Sequence, residues 1–204
     1  MKKRISFILI VVSTILLWGC YPQGPEYVED LDIVLTKHNK DYDFTAKATY
    51  AMPEQIVKIT GDVIEGEEPS FIPDANAQVM LTTVANNMAD LGWVRVDIED
   101  DPDVLLLPAA WETTTIYYYY DYWYYWYGGY WGYYPYYPPV YVSSYTTGTL
   151  LMSITDPAII SADGNRINQW SGAINGVLTG TFDANRINEA INKAFAASPY
   201  LKTN

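Results

Sequence analysis

Hydrophobic and polar positions change period several times along this chain, and each change marks an element. Leu31, Ile33 and Leu35 alternate with Asp32, Val34 and Thr36, which predicts a first strand. An extended segment follows around Ala46 to Met52, and "QIVKIT" continues or pairs with it. "GDVIEGEEPSFIP" reads as an acidic loop. After Pro73 the spacing lengthens. Ala77, Met80, Leu81, Val84, Met88 and Leu91 recur every three or four residues, on one helical face. Asp74 or Asn76 is expected to cap that helix, and Gly92 to stop it.

Trp93, Val94, Val96 and Ile98 predict a strand, and "EDDPD" a turn. "VLLLPAAW" is apolar throughout, as expected of a strand buried on both faces. "TGTLLMSITDP" predicts a strand ending at Asp156-Pro157, and "SADGN" a turn. "NQWSGAINGVLTG" predicts another strand, with Gly172, Gly176 and Gly180 as candidate bulges. Asp183 then caps a second helix whose face is Ile187, Ala190, Ile191, Ala194 and Phe195, ended by Ser198-Pro199. Strands and helices do not alternate strictly. The expected class is therefore α+β: a single mixed or antiparallel sheet with two helices packed on one face.

Between these elements lies a stretch with no core-facing period. Tyr117 to Tyr141 holds fourteen tyrosines and three tryptophans in twenty-five residues, with one charge, Asp121. Tyr and Trp favour strands, and Gly128-Gly129 suits a two-residue turn. The insertion 116–145 is thus expected to form a long aromatic hairpin, with arms 111–127 and 130–150. Pro135, Pro138 and Pro139 interrupt the returning arm. Aromatic rings stack on flat apolar faces while their hydroxyls and indole N–H groups meet polar edges. Large exposed patches of this kind mark interaction sites. The candidate binding residues are Tyr117, Tyr119, Trp123, Tyr125, Trp126, Tyr130, Trp131 and Tyr134, facing a glycan or an envelope protein. On the sequence alone the hairpin reads as separable from the core, so that replacing 117–141 by a short turn shifts stability only modestly. A hairpin that only supports structure, lipid contact and tolerated drift are the competing readings.

The N-terminus supplies an address. Lys2, Lys3 and Arg4 precede an apolar run from Ile5 to Trp18 that is short for a membrane span. It ends in Leu17-Trp18-Gly19-Cys20, which resembles a bacterial lipobox. The expected organisation is a signal peptide over 1–19, a lipidated tether over 20–30 rich in Pro and Gly, and a single domain over 31–204. Cys20 is the only cysteine, so no intrachain disulfide forms. Several acyl chains on Cys20 would hold the protein durably on a membrane, since each buried methylene contributes about 0.8 kcal/mol. Removing 1–19 takes away three cations and no acid, so the net charge moves from −12 to about −15. That charge excludes a basic nucleic-acid footprint.

Little points to chemistry. His38 is the only histidine and reads as an ordinary strand-end residue. No Gly-x-Ser-x-Gly elbow is present. Zinc needs several His or Cys ligands, which this chain lacks. Asp97, Glu99, Asp100, Asp101 and Asp103 raise a calcium site, but without the glycine of an EF-hand loop they read as a solvated turn. No metal, cofactor or catalytic residue is therefore expected.

The order of these pieces resembles a bacterial lipoprotein family of unknown function, DUF4136. The lipobox is followed by "DYDFTAKATYA", a helix closing in "LGW", "DPDVLL", an aromatic insertion, "GTLLMSITDP", "QWSGAINGVL" and a terminal helix near "SPY". The resemblance spans roughly 31 to 200. Its most telling pieces are Asp103, Gly148-Thr149-Leu150 with Asp156, and Trp170-Ser171-Gly172. Ser171 stands where such proteins often carry a basic residue, and the aromatic stretch is longer than usual. The resemblance implies an exported, lipid-anchored α+β domain and no specific chemistry. The expectation is a non-enzymatic binding module anchored through Cys20 at the outer membrane of a Gram-negative envelope, facing the periplasm or the outside. The alternative is a structural envelope subunit whose hairpin is buried by self-association.

Overall fold

"VLLLPAAW" becomes β5 (Val104–Trp111), and every residue of it is buried. In the computed structural model, which describes residues 33–59, 70–111, 148–162 and 166–204, this strand lies inside a seven-stranded mixed sheet. The strands are β1 (Ile33–His38), β2 (Thr49–Ala51), β3 (Val57–Ile59), β4 (Val94–Arg95), β5, β6 (Thr149–Ile160) and β7 (Arg166–Asn175). Their order is β1-β7-β6-β5-β2-β4, with β3 also paired to β5. β5, β6, β7 and β1 pair antiparallel in succession. β2 and β3 both run parallel to β5, against its two ends: Tyr50 opposite Val104, and Val57 opposite Ala109. Parallel neighbours need a long crossover. Helix α1 (Asp74–Asp90) lies within it.

Helix α2 (Ala184–Ala196) packs beside α1 on the same sheet face. Leu81, Val84 and Met88 of α1 and Ile187, Ile191 and Phe195 of α2 are all buried there, as their spacing predicts. They join Leu106, Met152, Ile154, Trp170 and Ile174 of the sheet in one core. At the rim of the helix pair, Asn87 Nδ2 donates to Asn192 Oδ1 at 2.7 Å. The α+β class with both helices on one face is the observed fold.

The boundaries differ from the expectation at four places. Neither Asp74 nor Asn76 caps α1; Pro73 holds the cap position and Asp74 is the first helical residue, with no side-chain cap. Asp183 does cap α2, accepting from the amides of Asn185 and Arg186. The strand expected from Trp93 to Ile98 shrinks to Val94–Arg95. Trp93 turns into the core, where its indole donates to Leu201 O at 2.7 Å. The chain then closes in a short 3-10 turn, Ile98–Asp100. β6 runs through Pro157 to Ile160, with register shifts after Ile154 and Thr155. β7 stops at Asn175, and Gly176 (φ 83°) and Gly180 (φ 77°) belong to the turn that follows. Gly92, with φ 94°, ends α1 as expected and sits hard against the Thr203 side chain.

Candidate functional site

The densest polar constellation lies at one end of the sheet, where segment 39–49 crosses strand ends of β5 and β6. Asp156 is fully buried near the end of the apolar part of β6. Its Oδ2 accepts from the Tyr42 hydroxyl at 2.8 Å and pairs with Lys47 Nζ at 2.8 Å. Its Oδ1 accepts from the Ala158 amide at 2.8 Å. Burial, and then the hydrogen bond and charge of Asp156, push the Tyr42 hydroxyl far above its usual pKa. Tyr42 therefore stays protonated and donating.

Asp103 does the same work one strand away. Its Oδ2 accepts from the amides of Ala48 and Thr49, each at 2.9 Å, and from Thr49 Oγ1 at 3.0 Å. Burial acts to raise its pKa. The amides of Ala48 and Thr49, the Thr49 hydroxyl and the charge of Lys47 outweigh it and hold the carboxyl below its ordinary value. Both carboxylates are thus occupied by donors from the same short segment. A buried charge needs such partners. The pair pins residues 42–49 across β5 and β6.

An aromatic row continues from Tyr42. It meets Phe44 edge-on at 4.8 Å, Phe44 lies 6.3 Å from Tyr200, and Tyr200 stacks on His38 at 3.6 Å. His38 is the last residue of β1, and its ring is taken up in this stack. Burial there, with Lys40 nearby, lowers its pKa. On the helix side, Trp170 is fully buried, 5.4 Å from the Phe195 ring, and donates to Ser198 Oγ at 2.9 Å. Its indole covers Gly172: a Cβ there would lie 2.7 Å from Trp170 Cη2. Ser171 instead faces away and contacts the Asn168 amide.

The other sequence-derived candidates fall differently. Asp97, Glu99, Asp100 and Asp101 are exposed, and only Asp103 turns inward. Among the described residues no group of three or more His, Cys, Asp or Glu gathers in a way that could hold a metal. No described helix is long and apolar enough to cross a membrane. Cys20 and the aromatic candidates Tyr117, Tyr119, Trp123, Tyr125, Trp126, Tyr130, Trp131 and Tyr134 lie outside the described residues, as does the expected hairpin. The roots of that segment are described. Trp111 ends β5 opposite Thr149, the first residue of β6, and the Gly148 amide donates to Trp111 O at 2.7 Å. Sequence reasoning missed the Tyr42–Lys47–Asp156 cluster. Its one local signal is an acid at the end of an apolar strand.

The described residues form an α+β domain with two helices, and a long stretch of sequence separates its central antiparallel strands β5 and β6. Residues 34–200 match the family model "Domain of unknown function (DUF4136)", and the chain belongs to that family. Its fold is similar to the crystal structure of a DUF4136 family protein from Bacteroides thetaiotaomicron. That likeness has a TM-score of 0.61 and 22% identity, and covers 84% of this chain and 97% of that one. It is more distantly similar to the PelC dodecamer from Paraburkholderia phytofirmans, with a TM-score of 0.41 and 13% identity over 85% of this chain and 99% of that one. No curated protein sequence matches the chain.

Proposed function

We propose that this chain is a lipid-anchored protein of the bacterial cell envelope, held at the outer membrane through Cys20. In this reading it binds an envelope glycan or protein through its Tyr/Trp-rich segment and carries out no catalysis. The observation that carries the binding part is the way the segment is inserted. Its two roots are hydrogen-bonded strand ends in the middle of the sheet, so the fold offers a rigid mount for aromatic groups. Rigid mounting lowers the ordering cost of binding. The carboxylates of Asp103 and Asp156 and the His38 ring are engaged in packing and pinning, which suits a binding domain. The lipobox resemblance at Leu17 to Cys20 supports the anchor.

The anchor is tested by Cys20→Ala. The variant is expected to leave the membrane fraction on a salt wash while the parent stays; equal retention overturns the lipoprotein reading. A second reading, a structural subunit that self-associates, is supported by the outermost strand β1. Ile33 and Leu35 there are 56% and 42% exposed. Sedimentation of the soluble chain across concentration separates the two readings.

A further inference from the structure

The helices cover one face of the sheet, and the opposite face is buried as well, with a smaller apolar cluster beside the buried polar residues Thr149, Ser153, Thr155 and Asn175. Val57, Ala109, Leu151 and Ala173 stand in one row across β3, β5, β6 and β7. Each is at most 3% exposed. Leu107 and Trp111 flank Ala109 within the same apolar cluster. The row continues onto β1 at Leu35, opposite Ala173. Among the described residues, the partly buried hydrophobic side chains packed against this cluster are Phe71 and Ile98, which is far less than a layer. A sheet buried on both faces has a covering layer on each.

Chemistry selects the cover. Residues 60–69 carry Asp62, Glu65, Glu67 and Glu68, and the stretch from Cys20 to β1 carries Glu26, Glu29, Asp30 and Asp32. Carboxylates laid unpaired on an apolar face are strongly disfavoured. Segment 112–147 carries only Glu112 and Asp121 among its charges. Both of its roots stand at this face, since Trp111 belongs to the cluster and Gly148 bonds to it. The face also holds one polar group that tyrosines suit. Ser153, in register with Leu107 and Ser171, is fully buried, and its hydroxyl has no hydrogen-bond partner. Reach is no obstacle. From β5 to β1 is three strand spacings, about 14 Å, which roughly five extended residues cross.

We propose that the sheet face opposite the helices is the seat of the chain's own Tyr/Trp-rich segment, 112–147. Aromatic side chains lie across β5, β6 and β7 and supply the second layer. The segment is longer than the face requires, and the remainder stands clear for a partner. This replaces the separable hairpin of the sequence reading with one whose base belongs to the core. The proposal rests on the reading above in one respect: removal of 1–19 takes away Ile5 to Trp18, the one other long apolar stretch.

The test is photo-cross-linking in the processed full-length chain. p-Benzoylphenylalanine is placed at Leu35, on the exposed end of the row, and separately at Ser171 in the next strand. Peptide mapping is expected to find intramolecular products with 112–147. Products with 21–32 or 60–69, products between copies, or none at either position overturn the proposal. A second measurement replaces 117–141 with a short Gly-containing turn. The uncovered face is expected to raise anilinonaphthalene sulfonate fluorescence several-fold or to abolish the soluble monomer. A monomer with unchanged dye binding overturns the proposal. A chain that cross-links but captures no envelope partner loses only the binding function. A chain that captures a partner without cross-linking loses only this seat.

Discussion

Replacing Asp156 by Ala asks how much the pinned end of the sheet is worth. Three donors converge on this carboxylate, each at 2.8 Å: the Tyr42 hydroxyl, Lys47 Nζ and the Ala158 amide. Truncation leaves all three without their acceptor. The Lys47 side chain is 25% exposed and can turn to water, so its share is discounted to about 1 kcal/mol. The other two are hydrogen bonds to a charged acceptor. With partial access to water each contributes about 1–2 kcal/mol. The expected loss is about 3–5 kcal/mol, a large part of the 5–15 kcal/mol typical of a domain. Urea unfolding of the soluble chain, with residues 1–19 removed and Cys20→Ser, measures it as a lower midpoint at unchanged slope. Lys47→Met alone is expected to cost less than Asp156→Ala, because two donors to the carboxylate remain. A loss under about 1 kcal/mol for Asp156→Ala refutes the reasoning and makes the cluster incidental.

Two further substitutions probe neighbouring parts of the same fold. Gly172→Ala puts a methyl 2.7 Å from the Trp170 ring and 3.3 Å from Met152 Cε; thermal unfolding is expected to show a loss of about 1–3 kcal/mol, typical of overpacking. Asp103→Asn tests the acid limb. The native Asp103 pKa is depressed, so its contribution is present above the unfolded value of about 3.9 and is lost as pH falls through the lower native value. Parent and variant are expected to differ in denaturant midpoint near neutral pH and to converge at strongly acid pH. A difference that grows on acidification contradicts the assignment.

What the sequence made legible follows from the range of the interactions. Helix faces depend on residues three and four apart, so Leu81, Val84, Met88, Ile187, Ile191 and Phe195 could be placed without a structure. The doubly buried β5 was equally local, being an unbroken apolar run. The edge strand after Gly92 was over-read. Its apolar spacing matched a strand, but Trp93 is spent on the helix-side core and only Val94 and Arg95 pair with β2. Asp103, Asp156 and Trp170-Ser171-Gly172 stood out as marks of the family resemblance without a physical reason. The reason is long-range: Asp156 binds Tyr42 114 residues away, and Trp170 binds Ser198 across the core. Partners that distant leave no periodic trace. The aromatic segment was visible as composition, but the apolar face that suits it appears only once β3, β5, β6 and β7 are set in register.

The binding role of the aromatic segment is tested most directly by capture from solubilised envelope fractions. The bait is the full processed chain, compared with one in which Trp123, Trp126 and Trp131 are each replaced by Ala. Point changes keep the length of 112–147, which a deletion would not. The parent is expected to retain a glycan or protein that the triple variant loses, with the two chains alike in circular dichroism and unfolding midpoint. Equal capture by both well-folded chains contradicts a binding role for these tryptophans.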